Sequence, residues 1–242
     1  MSIQDDISRL AVENYTSSSP WPDKDLWHKH TYLAEKKIVE EWLSWAAFSN
    51  MTILNAGSGG TEYKTDGTLI HLDIVESYVR KYEHHIVGSV EKIDLPCESV
   101  DGIVCVGSVL NYTDAQRAIA EFSRILKPNG FLILEFERSN SAEFLATKKH
   151  GNMIFPKEYH YNNQIHLLWL YSEKHIRKIL CRYHLKVRRC KRIHILSSLV
   201  NRLGISETVA APLSRFDRGL TFLSYHLAHN VILFSTKEFP AK

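Results

Sequence analysis

Residues Ile53 to Thr61 read Ile-Leu-Asn-Ala-Gly-Ser-Gly-Gly-Thr, and a second apolar run, Leu69 to Leu72, ends in Asp73. The glycines let the backbone turn sharply and approach a ligand where a Cβ would intrude. The carboxylate offers paired acceptors to a vicinal diol. Strand, glycine loop, strand and acid form a crevice at the carboxyl end of a parallel sheet, the place where nucleosides bind. Imidazoles add proton chemistry, since histidine titrates nearest neutral pH. Among 13 histidines, His160 stands between Tyr159 and Tyr161, and His28 and His30 share an N-terminal segment.

Elements on both sides of the loop must position these groups. From Asp23 to about Phe48, Leu26, Leu33, Ile38, Val39, Trp42, Leu43 and Ala46 approximate helical spacing, giving a helix ahead of the sheet. Residues 1 to 22 are polar and end in the helix-breaking run Ser17-Ser-Ser-Pro-Trp-Pro22. Val100 to Val106 reads as a buried strand, Asp114 to Leu126 as a helix opened by an Asp cap, and Phe131 to Phe136 as the next strand. Ser172 caps a helix running to Leu180, and Leu185 to Ile195 and Asn230 to Ser235 are the last two strands. Gly57 and Asp73 are only 16 positions apart, against roughly 20 in a glycine-loop βαβ unit. Gly60 to Thr68 cannot hold a normal helix, so the first crossover helix is expected to be missing or cut to a turn.

Composition bounds the answer. With 242 residues and 44% hydrophobic content, the chain suits one α/β domain with a substantial core. No apolar run approaches the ~20 residues of a membrane span. Met-Ser-Ile-Gln-Asp-Asp lacks the basic-then-apolar order of a secretion signal. Cys97, Cys105, Cys181 and Cys190 contain no Cys-x-x-Cys pair, so a cytoplasmic, disulfide-free protein is expected. No His-x-x-x-His or paired-carboxylate pattern marks a metal site. Nine Lys and Arg residues fall between 174 and 192 with no acid among them, a face that could meet phosphates or simply be solvated. The net charge of +3 is mild for a nucleic-acid enzyme.

In order along residues 51 to 138, the motifs resemble those of class I S-adenosylmethionine-dependent methyltransferases of the small-molecule, single-domain type. They are Asn55-Ala-Gly57-Ser-Gly59, Leu72-Asp73-Ile74, Gly88-Ser-Val-Glu91 with the following Asp-Leu-Pro96, Gly107-Ser-Val-Leu-Asn-Tyr112, and Arg124-Ile-Leu-Lys-Pro-Asn-Gly130. The resemblance implies a Rossmann-like, seven-stranded, mostly parallel sheet with an antiparallel last strand, an N-terminal helical cap (1–50) and inserted lids (139–171 and 197–229). It implies S-adenosylmethionine as cofactor, held by Asn55, Gly57, Ser58, Gly59, Asp73 (on the ribose), Ile74, Ser89, Val90, Glu91, Gly107, Ser108 and Tyr112. Asn55 stands where the family usually has an acid.

The resemblance also implies an acceptor pocket under the lids, lined by Tyr15, Tyr159 and Tyr161. His160, then His30 and His28, are the candidate bases for a hydroxyl acceptor. The expected reaction is methyl transfer to a small molecule, most simply at oxygen. Alternatives are an RNA methyltransferase using the 174–192 face and a noncatalytic adenosylmethionine-binding protein. Gly107-Ser-Val-Leu replaces the Asn/Asp-Pro-Pro-Tyr/Phe of enzymes that methylate exocyclic or amide nitrogens. A Rossmann dehydrogenase fits poorly, because no helix can follow the loop at Gly60-Thr-Glu-Tyr.

Overall fold

A computed structural model describes residues 2–17, 26–44, 50–161, 164–205, 207–210, 212–213, 217 and 224–238. Seven strands form one sheet: β1 (Thr52–Ala56), β2 (Thr68–Asp73), β3 (His85–Val87), β4 (Val100–Cys105), β5 (Leu126–Glu137), β8 (Leu185–Ile193) and β9 (Asn230–Lys237). Their order is β3-β2-β1-β4-β5-β9-β8. All neighbours are parallel except β9, which runs antiparallel between β5 and β8. The chain order reverses direction between β1 and β4, and this switch point opens the crevice that the glycine loop enters.

Both sheet faces are covered, which explains the unbroken apolar runs. Leu54, Ile103, Cys105, Leu132 and Leu134 pack towards α4 (Ala115–Ile125) and α5 (Glu173–Arg182). Alternate residues Ile53, Val104, Ile133 and Ile232 meet Val39, Trp42 and Leu43 of α2 (Leu26–Ser44). Asp114 caps α4 by accepting from the Gln116 and Arg117 N–H groups, an arrangement worth about 1 kcal/mol. Ser172 caps α5 through the His175 N–H.

No helix lies between β1 and β2, and only one turn, α3 (Glu76–Val79), precedes β3. Side chains staple the loop instead. Ser58 Oγ lies 2.8 Å from His71 Nδ1, the His71 ring stacks on Tyr82 at 3.6 Å, and the Tyr82 hydroxyl donates to Gly60 O.

Two segments carry structure that the sequence reading left unassigned. Residues Ile3–Ser17 form a helix, α1, within the polar stretch that ends in helix breakers. Its signal is a reciprocal cap, in which the Ser2 N–H donates to Asp5 and the Asp5 N–H to Ser2 Oγ, ahead of buried Ile7, Ala11 and Asn14. The breaker Ser18 to Pro22 lies outside the described residues. The first insertion is a hairpin of β6 (Ile154–Tyr161) and β7 (Gln164–Tyr171), two strands that the sequence did not assign. His166, Leu168 and Leu170 are buried at every second position, a strand alternation hidden by the density of aromatic residues. Within the second insertion, the described residues include the short helices α6 (Leu196–Arg202), α7 (Glu207–Ala210) and α8 (Ser224–Leu227). No described helix is long and apolar enough to cross a membrane, and all four cysteines are free thiols.

Candidate active site

A cavity of about 330 Å³ lies over the carboxyl ends of β1, β2, β4 and β5 and reaches the start of β9. Gly57 (φ +72°) and Gly59 (φ +52°) line its first wall in left-handed backbone. A Cβ on Gly57 would come within 2.3 Å of Val109 Cγ2, so that loop admits only glycine. Asp73 takes the Gly59 N–H on Oδ2 (2.8 Å) and the Val75 N–H on Oδ1 (2.9 Å), which fixes its carboxylate at the cavity edge. Burial raises its pKa, opposed by these backbone hydrogen bonds.

Ile74, Ser89, Val90 and Glu91 form the adjoining wall, and Gly107, Ser108 and Tyr112 continue it beyond β4. Asn55 and Ser58 do not line the cavity. Asn55 Nδ2 donates to Thr61 O (2.8 Å) and Ser58 Oγ (3.3 Å), so the residue at the position of the usual acid braces the loop from behind.

The roof comes from α1, the start of α2 and the hairpin. Gln4 accepts from Trp169 Nε1, and Asn14 donates to Ile165 O, pinning α1 onto β7. Tyr15, Tyr112 and Tyr159 connect hydroxyl to hydroxyl at 3.2 and 3.0 Å. Burial pushes Tyr15 and Tyr112 well up, so both stay neutral donors. Tyr161 is in β6, but its side chain lies outside the described residues.

The three expected bases separate. His28 lines the cavity from the first turn of α2. His30, two residues on, is half-buried and does not. His160 is exposed beside Glu158, with 74% of its side chain in solvent, because strand alternation turns it away from the face that carries Tyr159. The placement of His160 against the acceptor pocket is thereby corrected.

Sequence reasoning missed the far end of the cavity. Glu137 closes β5, and His229 and Asn230 begin β9 beside it. His229 Nε2 lies 3.3 Å from Glu137 Oε2, and Ser108 Oγ donates to Glu137 Oε1. Burial would raise Glu137, but the His229 hydrogen bond and charge, with Lys157 and Ser108, hold it down to about 2. Burial opposes charge on His229, and Glu137 with Glu143 overcomes it and raises the imidazole. Behind this pair, the buried Glu135 accepts from the Ser108 N–H (2.6 Å) and Asn230 Nδ2 (2.7 Å). Asn111 clamps the corner by bonding both the N–H and C=O of Glu137 and Trp169 O of the hairpin. The available signal was Leu-Ile-Leu-Glu-Phe-Glu, in which two acids interrupt an apolar strand.

The basic segment has its own counter-charge. Glu173, 1% exposed, takes Arg177 and Arg192 at 2.8 Å and Arg138 Nε at 3.6 Å, and Glu238 takes Lys186 and Arg188. Among the described residues no cluster of His, Cys, Asp and Glu could hold a metal ion.

Residues 54–134, about a third of the chain, match a family described as "Methyltransferase domain". No curated protein sequence matches the chain. Among solved structures, the 1,6-didemethyltoxoflavin-N1-methyltransferase of Burkholderia thailandensis, with 1,6-didemethyltoxoflavin and S-adenosylhomocysteine bound, is 12% identical with a TM-score of 0.62, covering 99% of this chain and 92% of that one. A protein of Listeria monocytogenes assigned to the S-adenosylmethionine-dependent methyltransferases is 10% identical with a TM-score of 0.58, covering 86% and 100%. The [4+2]-cyclase SpnF is 12% identical with a TM-score of 0.56, covering 85% and 80%. Residues 54–134 thus match a methyltransferase domain, and the strand order around them is shared with these structures as a likeness of fold.

Proposed function

We propose that the protein transfers a methyl group from S-adenosylmethionine to a small planar acceptor through a hydroxyl oxygen. One observation carries this reading: a single cavity joins Asp73 and the glycine loop to an aromatic chamber with charged groups at its far end. The cofactor fits these residues. Asp73 offers a fixed carboxylate to a ribose diol, Val90 and Ile74 offer apolar surface to a purine, and Gly57 admits close backbone approach. A volume of about 330 Å³ is within the usual range for small-molecule sites.

When bound, the cofactor supplies an electrophilic methyl group on sulfur. Tyr15, Tyr112, Tyr159 and Trp27 hold a flat acceptor between ring faces and edges and keep water out. Glu137, ionised throughout the neutral range, accepts the hydrogen bond of the reacting hydroxyl and fixes its orientation. His28 is the expected base that removes the proton, and His229 positions Glu137. A ring N–H would satisfy the same groups. That second reading is favoured by the heterocyclic N1 acceptor of the Burkholderia neighbour, whose match covers both lids.

The RNA alternative loses its main support, because Glu173 and Glu238 occupy five basic side chains, four of them within the 174–192 segment. The test is incubation of the purified protein with labelled adenosylmethionine and fractionated cell extract. Label in small metabolites supports the reading. Label in RNA, or binding of adenosylmethionine without transfer to any fraction, overturns it. Asp73→Ala should weaken cofactor binding about 10- to 100-fold through lost charge-assisted hydrogen bonds, and unchanged calorimetric affinity would remove Asp73 from the site.

A further inference from the structure

A third carboxyl stands behind the far end of the cavity. Glu35 on α2 is 1% exposed, and neither of its oxygens has a hydrogen bond of good geometry, the Gly107 backbone approaching it without making one. It lies one helical turn from Thr31, which lines the cavity, and it faces Glu135 and Glu137 beneath Gly107. A buried carboxyl without a partner is costly, so the fold retains it against its own stability. Burial, then the Glu135 and Glu137 charges, push Glu35 well up, against a smaller pull from the Gly107 backbone. Burial likewise raises Glu135, against the Asn230 and Ser108 hydrogen bonds.

The surroundings show which charges are spoken for. His229 neutralises Glu137, and Lys157 pairs with Glu143. Tyr63 and Cys105, the other titratable groups near Glu35 and Glu135, are held neutral by burial. Glu35 and Glu135 therefore share a site with surplus acid, met among the described residues only by the charge of His229, which Glu137 already holds. Adenosylmethionine and adenosylhomocysteine carry the same ammonium and carboxylate, so the sulfonium, which lies beyond the ribose from the adenine, is the one charge that differs between them. With the diol at Asp73 on β2, we place that sulfonium towards β4 and β5, where this pair lies.

We infer that Glu35 and Glu135, lying behind Gly107 and Ser108, form a charge-reading site that favours the sulfonium cofactor over its neutral thioether product and releases a proton to solvent as the cation binds. The inference rests on the cofactor reading above. When the cation arrives, one carboxyl O–H of the pair ionises and its proton passes to buffer. When the thioether replaces the cation, the carboxylate regains a proton from buffer, so the pair ends each cycle unchanged. The physical basis is that charges in a dry site interact far more strongly than in water. The pair thereby weakens retention of product.

The test is calorimetric titration of the intact protein with adenosylmethionine and, separately, adenosylhomocysteine at pH 7, in buffers of different ionisation enthalpy. Fractional proton release is expected with adenosylmethionine, larger at pH 6 and vanishing at high pH, and none with adenosylhomocysteine. Glu135→Gln and Glu35→Gln should each reduce the preference for adenosylmethionine over adenosylhomocysteine by about tenfold while leaving adenosylhomocysteine affinity nearly unchanged. Equal proton release for the two ligands, or an unaltered preference in both variants, overturns the inference. The wild-type proton count needs no variant to fold. Failure of both ligands to bind would instead overturn the cofactor reading, and the two failures are thus distinct.

Discussion

Glu173 and Glu137 are both carboxylates withdrawn from water and matched with cations, yet their surroundings differ in kind. Glu173 is enclosed by Arg138, Arg177 and Arg192 and does not line the cavity. Glu137 has one imidazole, a serine hydroxyl and an open side facing the aromatic chamber, with two more carboxyls behind it. The first cluster is charge-complete and holds β5, α5 and β8 together. The second has surplus acid and an opening. A closed ion cluster belongs to architecture, whereas an incomplete one beside a cavity awaits a ligand.

Substitution can break that contrast. Glu137→Gln should slow methyl transfer by about 10²–10⁴ while adenosylhomocysteine still binds, and His28→Ala should act within the same range. A fully active Glu137→Gln protein, assayed by single-turnover transfer to the acceptor found in extract, would reduce the open cluster to architecture as well. Glu173→Ala should do the reverse. It strands the buried Arg138 and should cost about 3–5 kcal/mol of stability, read by urea denaturation. Transfer per folded molecule should be unaffected.

The acid limb of stability sharpens the contrast on a third buried group. His194, stacked on Trp27 at 4.3 Å and bonded to Thr31 and Ser197, is held down to about 3 by burial and by the charges of His229, His30 and His28. A depressed histidine favours the folded state above its unfolded pKa of about 6.5. That contribution is lost as pH falls from there towards 3, because the unfolded chain binds the extra proton. Stability should drop by about 1.4 kcal/mol per pH unit from this residue alone. Denaturation of His194→Gln at pH 7 and pH 5 should show a slope shallower by about one proton, and an unchanged slope would contradict the assignment.

The smallest effects are expected on the surface. Arg188 and Arg189 changed to Glu should leave turnover largely intact, and retention of RNA at physiological salt that disappears in this variant would restore the RNA reading. His160→Ala should change transfer by less than about twofold, and a larger loss would return His160 to the acceptor pocket.

Much of the glycine-loop end of the cavity was legible because its residues are close in sequence. Gly57, Gly59 and Asp73 belong to one strand-loop-strand unit, and the count of 16 positions already implied a missing helix. Helix caps at Asp114 and Ser172 were equally local, as was the unnoticed Ser2–Asp5 cap of α1. The hairpin was not assigned from the sequence because aromatic and imidazole residues alternate along Tyr159-His160-Tyr161, which masks a period of two.

The sequence alone determined all of the sheet's strands but β3, the glycine turn and the acid at its edge, since these follow from periodicity, sterics and hydrogen-bonding capacity over a few residues. Only the tertiary structure decided what lies opposite them. Glu35, Glu135, Glu137 and His229 come from α2, β5 and the approach to β9, and β9 pairs with β5 from nearly a hundred positions away. Their carboxyls and imidazole acquire unusual proton affinities from burial and from one another, and no single segment of the chain contains that burial.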